Sequence, residues 1–326
     1  MHLHPALDAR RLTARAPSAF EEDPERGPEH GRRIMFRSAT DSFAVQDNEA
    51  LAAALRSGVL GPGTPGFAAL KNRGALIETP LSWSEDMFVQ SLDLARRAFQ
   101  QVLGDDPERV DTQALAQPVL SVIGSGQVAS RVAALCREAG LALADPAPGA
   151  EGADAAIVCA DHWDHDGFSR QNERLSKTGL PYLFAYVDMT RAVAGPLCWG
   201  QDAACYACHF ERRAAHGKAG RATEDWLTAQ PDDTLTPPVA RPSALVATAA
   251  ATNAVALMIA HMSGMEHTAP LGTVREQEFL SGTFEAGIVL KAPRCAVCGT
   301  RPDFAPASPV RTGRLVWETH ERDVND

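Results

Sequence analysis

The sequence predicts an α/β protein. A doubly wound, mostly parallel sheet carrying a four-cysteine zinc knuckle follows a small winged-helix-like α+β module. Three observations carry this reading. The apolar run from Pro118 to Gly124 passes directly into a G-x-G-x-x-A turn, Gly124-Ser-Gly126-Gln-Val-Ala129. Strand-like and helix-like segments then alternate to about residue 199, the pattern of parallel strands joined by crossover helices. Two C-x2-C pairs, Cys205/Cys208 and Cys295/Cys298, lie 86 residues apart.

The totals bound the answer. At 326 residues the chain should hold about two domains, and 45% apolar residues can build a substantial core. A net charge of −10 argues against a nucleic-acid partner. The charged N-terminus lacks the apolar centre of a signal peptide, and the longest apolar run, Ala244 to Ala260, is Ala-rich and broken by Thr248, Thr252 and Asn253. It is expected to be a buried helix, with no membrane partner and a cytoplasmic location. Seven cysteines, four of them in the two pairs, suit a reducing compartment. Cys136, Cys159 and Cys198 sit in apolar runs and read as small buried hydrophobes.

In chain order, residues 1–30 show no periodicity and read as a loose arm. The first module is expected over residues 31–110. Ile34–Arg37 and Phe43–Val45 read as short strands, and Asp47 or Asn48 can cap a helix with Leu51, Leu55 and Val59 on its apolar face. Gly58 and the Gly61-Pro62-Gly63 cluster end it. A second short helix with Phe67 and Leu70 leads to a strand at Ala75–Glu78. Strand, strand, helix, helix, strand is the order of a winged helix, and on an acidic chain such a module fits a peptide better than DNA. Residues 84–103 form a further helix, and Gly104–Pro107 breaks it.

The second domain is expected over 116–326. Its first strand, Gly-rich turn and helix through Val128, Val132 and Cys136 lead to a second strand, Leu141–Asp145. This is a Rossmann-like, dinucleotide-type unit. Gly124 and Gly126 permit the tight turn, Ala129 lets the helix pack closely, and the helix N-terminus can face an anion. The same turn can also exist for packing alone. Asp145 could accept a ribose hydroxyl. Further strands are expected at Ala153–Ala160, Pro181–Val187 and Ala192–Trp199, with a helix around 167–177. Residues 216–241 read as a polar loop, Ser243 as the cap of the Ala-rich helix, and Leu271–Phe279 with Thr283–Leu290 as a hairpin.

Two C-x2-C loops complete a tetrahedral four-sulfur shell, which a structural zinc ion takes. Redox dithiols or a disulfide pairing are the competing readings. Gly299 suits a turn needing positive φ. The Asp161-His-Trp-Asp-His-Asp166 loop reads as a capping loop or a second metal site, and Arg294 as a brace for the knuckle. No activated nucleophile with a matching base is visible.

These features together resemble a known superfamily. The Gly-rich turn, the strand ending Cys159-Ala-Asp161, then Arg170, Asn172, Gly179-Leu-Pro181 and split C-x2-C pairs are similar to the ubiquitin-activating, ThiF-like superfamily. The flanks Gly195-Pro-Leu197 to Arg212 and Val289 to Gly299 resemble one branch more closely. That branch is the ocin-ThiF-like, leader-peptide-binding cyclodehydratase partner proteins of thiazole/oxazole-modified peptide pathways. The resemblance covers about residues 116–300. Residues 31–80 match the family's peptide clamp in element order.

The resemblance implies the following. Gly124, Gly126, Ala129, Asp145 and Asp161 would form the nucleotide site, with Asp161 at the superfamily's metal-binding position. Adenylating members carry cationic residues after the second strand; here Pro146–Gly152 has no Arg or Lys, and a triphosphate needs neutralisation. The site is therefore expected to be vestigial and ATP not to be a cofactor. The implied function is to bind a precursor's leader peptide, through Met35, Phe36, Phe43 and Val45, and present it to a YcaO-type cyclodehydratase. The chain itself would be a non-catalytic component, and a homodimer is implied by other superfamily members. The competing functions are an adenylating enzyme acting on a peptide C-terminus and an NAD(P)-dependent oxidoreductase.

Overall fold

A computed structural model describes residues 2–3, 8–12, 33–37, 42–46, 48–72, 75–77, 81–103, 116–144, 152–216, 242–265, 268–292 and 294–299. The chain divides into two units. Unit 1 comprises Met1–Gln117 with Glu138–Leu141, and unit 2 comprises Pro118–Arg137 with Ala142–Asp326.

In unit 1, strands β2 (Asp8–Leu12), β3 (Arg33–Arg37) and β4 (Ser42–Gln46) form an antiparallel sheet in that order. Within the expected loose arm, residues 2–3 and 8–12 are strands and the others lie outside the described residues: β2 pairs along all of β3, from Asp8↔Arg37 to Leu12↔Arg33. Its order comes from a partner more than twenty residues away, which local periodicity cannot reveal. A two-stranded pair joins β1 (His2–Leu3) to β5 (Leu76–Ile77).

Helix α1 (Glu49–Ser57) begins where Asn48 accepts the Leu51 N–H at 2.8 Å and ends at Gly58 in the left-handed region, φ 72°. Leu51 from α1 and Leu70 from α2 (Phe67–Asn72) join Ile34, Phe36 and Val45 in one core. Helix α3 (Met87–Leu103) starts where Asp86 accepts the N–H groups of Phe88 and Val89. Within it the buried Asp93 carboxylate accepts from Arg96 at 3.0 Å and from Arg97 at 2.9 Å.

Unit 2 is built on one eight-stranded sheet. Its parallel half runs β7 (Ala142–Leu143), β6 (Val119–Gly124), β8 (Ala155–Ala160), β9 (Pro181–Asp188). The continuous apolar runs of β8 and β9 are buried on both faces, as parallel strands under crossover helices are. Its antiparallel half adds β10 (Arg191–Ala194), β12 (Thr273–Glu278) and β13 (Thr283–Ile288). The single strand expected over Ala192–Trp199 is two: a cis Gly195–Pro196 bond separates β10 from β11 (Cys198–Trp199), which returns to pair with the start of β9. Pro196 has no N–H to donate, which ends the ladder there.

Helices α4 (Gln127–Glu138), α5 (His165–Leu175), α6 (Tyr206–His216) and α7 (Ala244–Met262) complete the described part of unit 2. Phe168 of α5, Phe184 of β9 and Tyr206 of α6 meet with ring centroids 5.0–5.4 Å apart. They belong to the cluster that also holds Tyr182, Tyr186, Val193 and Val274. Their neighbours of opposite parity, Leu183, Ala185, Val187, Ala192 and Ala194, are also fully buried, and α7 packs along β9 and β10. By length and composition α7 could cross a membrane, yet eleven of its residues, Ala247, Ala250, Ala251 and Ala254 among them, are buried in the unit. The small side chains let the helix lie close to the sheet. Ser243 is its N-cap by position, without the expected side-chain hydrogen bond.

Replacing a fully buried alanine there should overpack the layer. Ala254→Leu should destabilise the protein by about 1–3 kcal/mol, measured as a lowered midpoint in urea unfolding.

Candidate functional site

The carboxyl ends of β6 and β8 place the Gly-rich turn beside Asp161. Gly124 has φ 122°, and a Cβ there would run into the Cys159 carbonyl. Gly126 has φ 95°, and a Cβ would collide with the Asp161 carboxylate. Both glycines are therefore required, one by each neighbour. Ala129 is buried at the turn's first helical residues, as its small size allows.

Asp161 does what a bound anion would do. Its carboxylate accepts the Gln127 N–H and the Val128 N–H, both at 2.9 Å. These are leading N–H groups of α4, the donors that an unliganded helix leaves unpaired. The helix N-terminus stabilises this internal negative charge. Outside it lies an open groove lined by Gly126, Gln127, Ser130, Arg131 and Asp161. Arg131 brings a cation to the groove, and its Nε is buried with no hydrogen-bond partner among the described residues. Asp145 lies outside the described residues.

The rest of the acidic loop caps and packs. Asp164 accepts the Gly167 N–H at 2.8 Å and starts α5. Trp163 donates Nε1–H to the Tyr206 hydroxyl at 2.7 Å, and the His165 ring lies 3.2 Å from the same oxygen and 4.1 Å from the Phe210 ring centroid. Burial holds the His165 pKa below its usual value. The Arg213 guanidinium stacks 4.5 Å over Trp163 and pairs with Asp188. The second-metal reading of this loop has no support among the described residues, where the four cysteines are the group able to hold an ion.

Those four cysteines converge as their spacing predicts. Cys205 and Cys208 open α6, and Cys295 and Cys298 lie in a tight turn after β13. All four are buried, and their sulfurs lie within 4.8 Å of one another. The pairs Cys205–Cys295 and Cys208–Cys298 are 3.6 and 3.3 Å apart. A tetrahedral ion with bonds of about 2.3 Å needs sulfurs about 3.8 Å apart, so the donor set fits a divalent metal. Hydrogen bonding to Cys208 and burial push the Cys205 thiol up to about 11, while hydrogen bonds from Cys205 and Cys298 hold Cys208 far below the thiol range. A divalent cation bound there would displace the thiol protons.

The surroundings orient these ligands. The Ala292 N–H donates to Cys208 Sγ at 3.3 Å. Asn172, fully buried, accepts the Tyr206 N–H at 3.1 Å and the Tyr182 hydroxyl at 2.9 Å, which seats the start of α6. Gly299 is needed, but not for positive φ: its N–H donates to the Cys295 carbonyl at 2.7 Å, and a Cβ would strike that carbonyl. Arg212 reaches the Leu290 carbonyl at 2.7 Å, tying α6 to the segment after β13.

In unit 1, Phe36 and Val45 are core residues under the three-stranded sheet rather than surface residues. Met35 and Phe43 sit in register opposite Ala44 and Phe36. β4 is the outer strand of that sheet among the described residues.

No family model and no curated protein matches this sequence. Solved structures do. The heterocyclase TruD aligns over 91% of this chain at 17% identity and a TM-score of 0.56, and a heterocyclase in complex with substrate and cofactor at 17% and 0.59. This chain spans 42% and 39% of those longer chains. The E. coli protein MccB aligns over 92% of this chain and 97% of its own length, at 13% identity and a TM-score of 0.51. At such identities the likeness is one of fold.

Cys205→Ser or Cys298→Ser should lower bound metal from about one ion per chain and lower the unfolding midpoint with it. Elemental analysis beside thermal unfolding checks this; loss of metal with an unchanged midpoint would contradict a structural role. Asp161→Ala should cost about 1 kcal/mol through loss of the α4 cap.

Proposed function

We propose that this chain is a peptide-capturing component of a system that modifies ribosomally made peptides. It binds the leader segment of a precursor and presents the remainder to a YcaO-type cyclodehydratase for azoline formation. Its four-sulfur site holds structural zinc, since zinc takes a closed tetrahedral thiolate shell. The observation that carries the reading is the Asp161 carboxylate seated on the N-terminus of α4. A protein that used ATP there would need those N–H groups for phosphate and would face its own carboxylate instead.

Two further points support it. The neighbours in fold include a heterocyclase in complex with substrate and cofactor and E. coli MccB with MccA. Among the described residues β4 has no strand on its outer side, which suits strand addition, the mode in which main-chain hydrogen bonds give affinity and alternate side chains give specificity. Phe36 and Val45 then act by supporting the sheet from below, and the peptide contacts fall to the edge itself.

Arg131 favours one other reading, an adenylating enzyme, because it brings an unpartnered guanidinium Nε to the groove. MccB has been solved with ATP. A single arginine opposed by Asp161 is little neutralisation for a triphosphate and its metal. Full-length, metal-loaded protein should bind the leader encoded beside its gene in fluorescence polarisation and should give no ATP–pyrophosphate exchange with that peptide. Exchange that depends on Asp161, or no binding of the leader, would overturn the proposal.

A further inference from the structure

Four thiolates around one divalent cation keep a net negative charge, and here all four cysteines are buried. N–H groups aimed at the sulfurs steady such a shell, as partners just outside a coordination sphere orient the ligands within it. Cys208 has the Ala292 N–H. At Cys205, hydrogen bonding to Cys208 pushes the thiol up, and the Asn172 carboxamide and the Cys208 N–H pull against it. The first of these two donors comes from another element, α5.

The orientation of Asn172 is fixed by its partners. The residue is 1% exposed. A backbone N–H can only donate, so the atom facing the Tyr206 N–H at 3.1 Å must be the carboxamide oxygen. This settles a choice between oxygen and nitrogen that the network alone decides. The Tyr182 hydroxyl donates to the same oxygen at 2.9 Å. Nδ2 is the group left over, and it is buried with no hydrogen-bond partner among the described residues. A buried donor in that state is costly and rare. Its effect falls on Cys205, where it favours the ionised sulfur, the direction an N–H donor gives.

We propose that Asn172 is a positioning residue for the metal site: its Nδ2–H donates to Cys205 Sγ when that sulfur is a metal-bound thiolate, while its Oδ1 holds the backbone N–H of the next residue. This rests on the reading that the four sulfurs hold a metal, and it is independent of the peptide reading. A thiol is a weak acceptor and a thiolate a stronger one, so the bond belongs to the ionised sulfur. One carboxamide then fixes two neighbours in the chain, the sulfur of Cys205 and the N–H of Tyr206, and so sets the ligand's direction relative to the helix it opens. Aspartate at this place would keep both acceptor bonds and turn a second oxygen toward the thiolate. Leucine would keep the volume and lose every bond.

The test uses the full-length protein, with zinc affinity read by chelator competition and the sulfurs read after replacement of zinc by cobalt(II). The sulfur-to-cobalt charge-transfer band moves to lower energy when a thiolate loses a hydrogen bond. Asn172→Leu should weaken zinc binding about 10–100-fold and move the band to lower energy, with the tetrahedral d–d bands retained. Asn172→Asp should move it the same way, and it carries the same reading if the leucine variant does not fold. Tyr182→Phe removes a bond to Oδ1 and leaves Nδ2, so its band should stay at the wild-type position. A band that stays in place in the Asn172 variants, or that Tyr182→Phe moves as far, would assign Asn172 to seating α6 alone and overturn the proposal. A wild type that takes up neither zinc nor cobalt would overturn the four-sulfur reading itself, and the proposal with it.

Discussion

The Asp161 carboxylate accepts two leading N–H groups of α4, and the ligand chemistry of the large unit follows from that seat. A Gly-rich turn leading into a helix is an anion site by construction, because its unpaired donors and the helix dipole converge on one point. Here the protein supplies the anion from the end of the adjacent strand. Gly126 is kept bare by the same carboxylate that fills the site. The leading donors of the turn are thus already used. Any competing phosphate would have to displace a carboxylate held by two hydrogen bonds of 2.9 Å.

The four sulfurs do the complementary work in the antiparallel half. The chain leaves the sheet at β11, forms α6, passes through residues 217–241, crosses the sheet as α7 and returns as the hairpin β12–β13. The cysteines join the start of α6 to the turn after β13, and Arg212, Ala292 and Lys291 add backbone-directed bonds around the joint. Phe168, Phe184 and Tyr206 share one core cluster with the four cysteines. A closed shell of this kind supplies folding energy and no open coordination position.

Much of this was legible in the sequence, and the reasons divide by range. Continuous apolar runs at Val119–Gly124, Ala155–Ala160 and Pro181–Asp188 marked buried parallel strands, because burial on both faces removes alternation. Asn48 and Gly58 marked the ends of α1 because capping is local chemistry. The cysteine spacing pointed to two distant segments meeting, because a shared four-sulfur shell was the reading it favoured over redox dithiols or a disulfide. What stayed hidden depends on partners remote in sequence. β2 is a strand because β3 is beside it. Asp161 reaches Gln127 across 34 residues, so the short Pro146–Gly152 segment, without Arg or Lys, suggested a vestigial site without revealing the carboxylate on the helix N-terminus. Phe36 and Val45 alternate correctly with their neighbours, but alternation does not say which face meets the core, and they meet it. Gly299 was read as a positive-φ turn residue, and it is instead needed for its close approach to the Cys295 carbonyl.

The central claim is that a peptide is captured at the edge of the small unit while the Gly-rich turn stays closed by Asp161. Hydrogen exchange on the full-length, metal-loaded protein, with and without the leader peptide, separates the two places directly. The account predicts slowed exchange at the amides of β4, Ser42–Gln46, with Gln127 and Val128 unchanged. Protection that appears at Gln127, Val128 and the loop after β8, and not at β4, would contradict it.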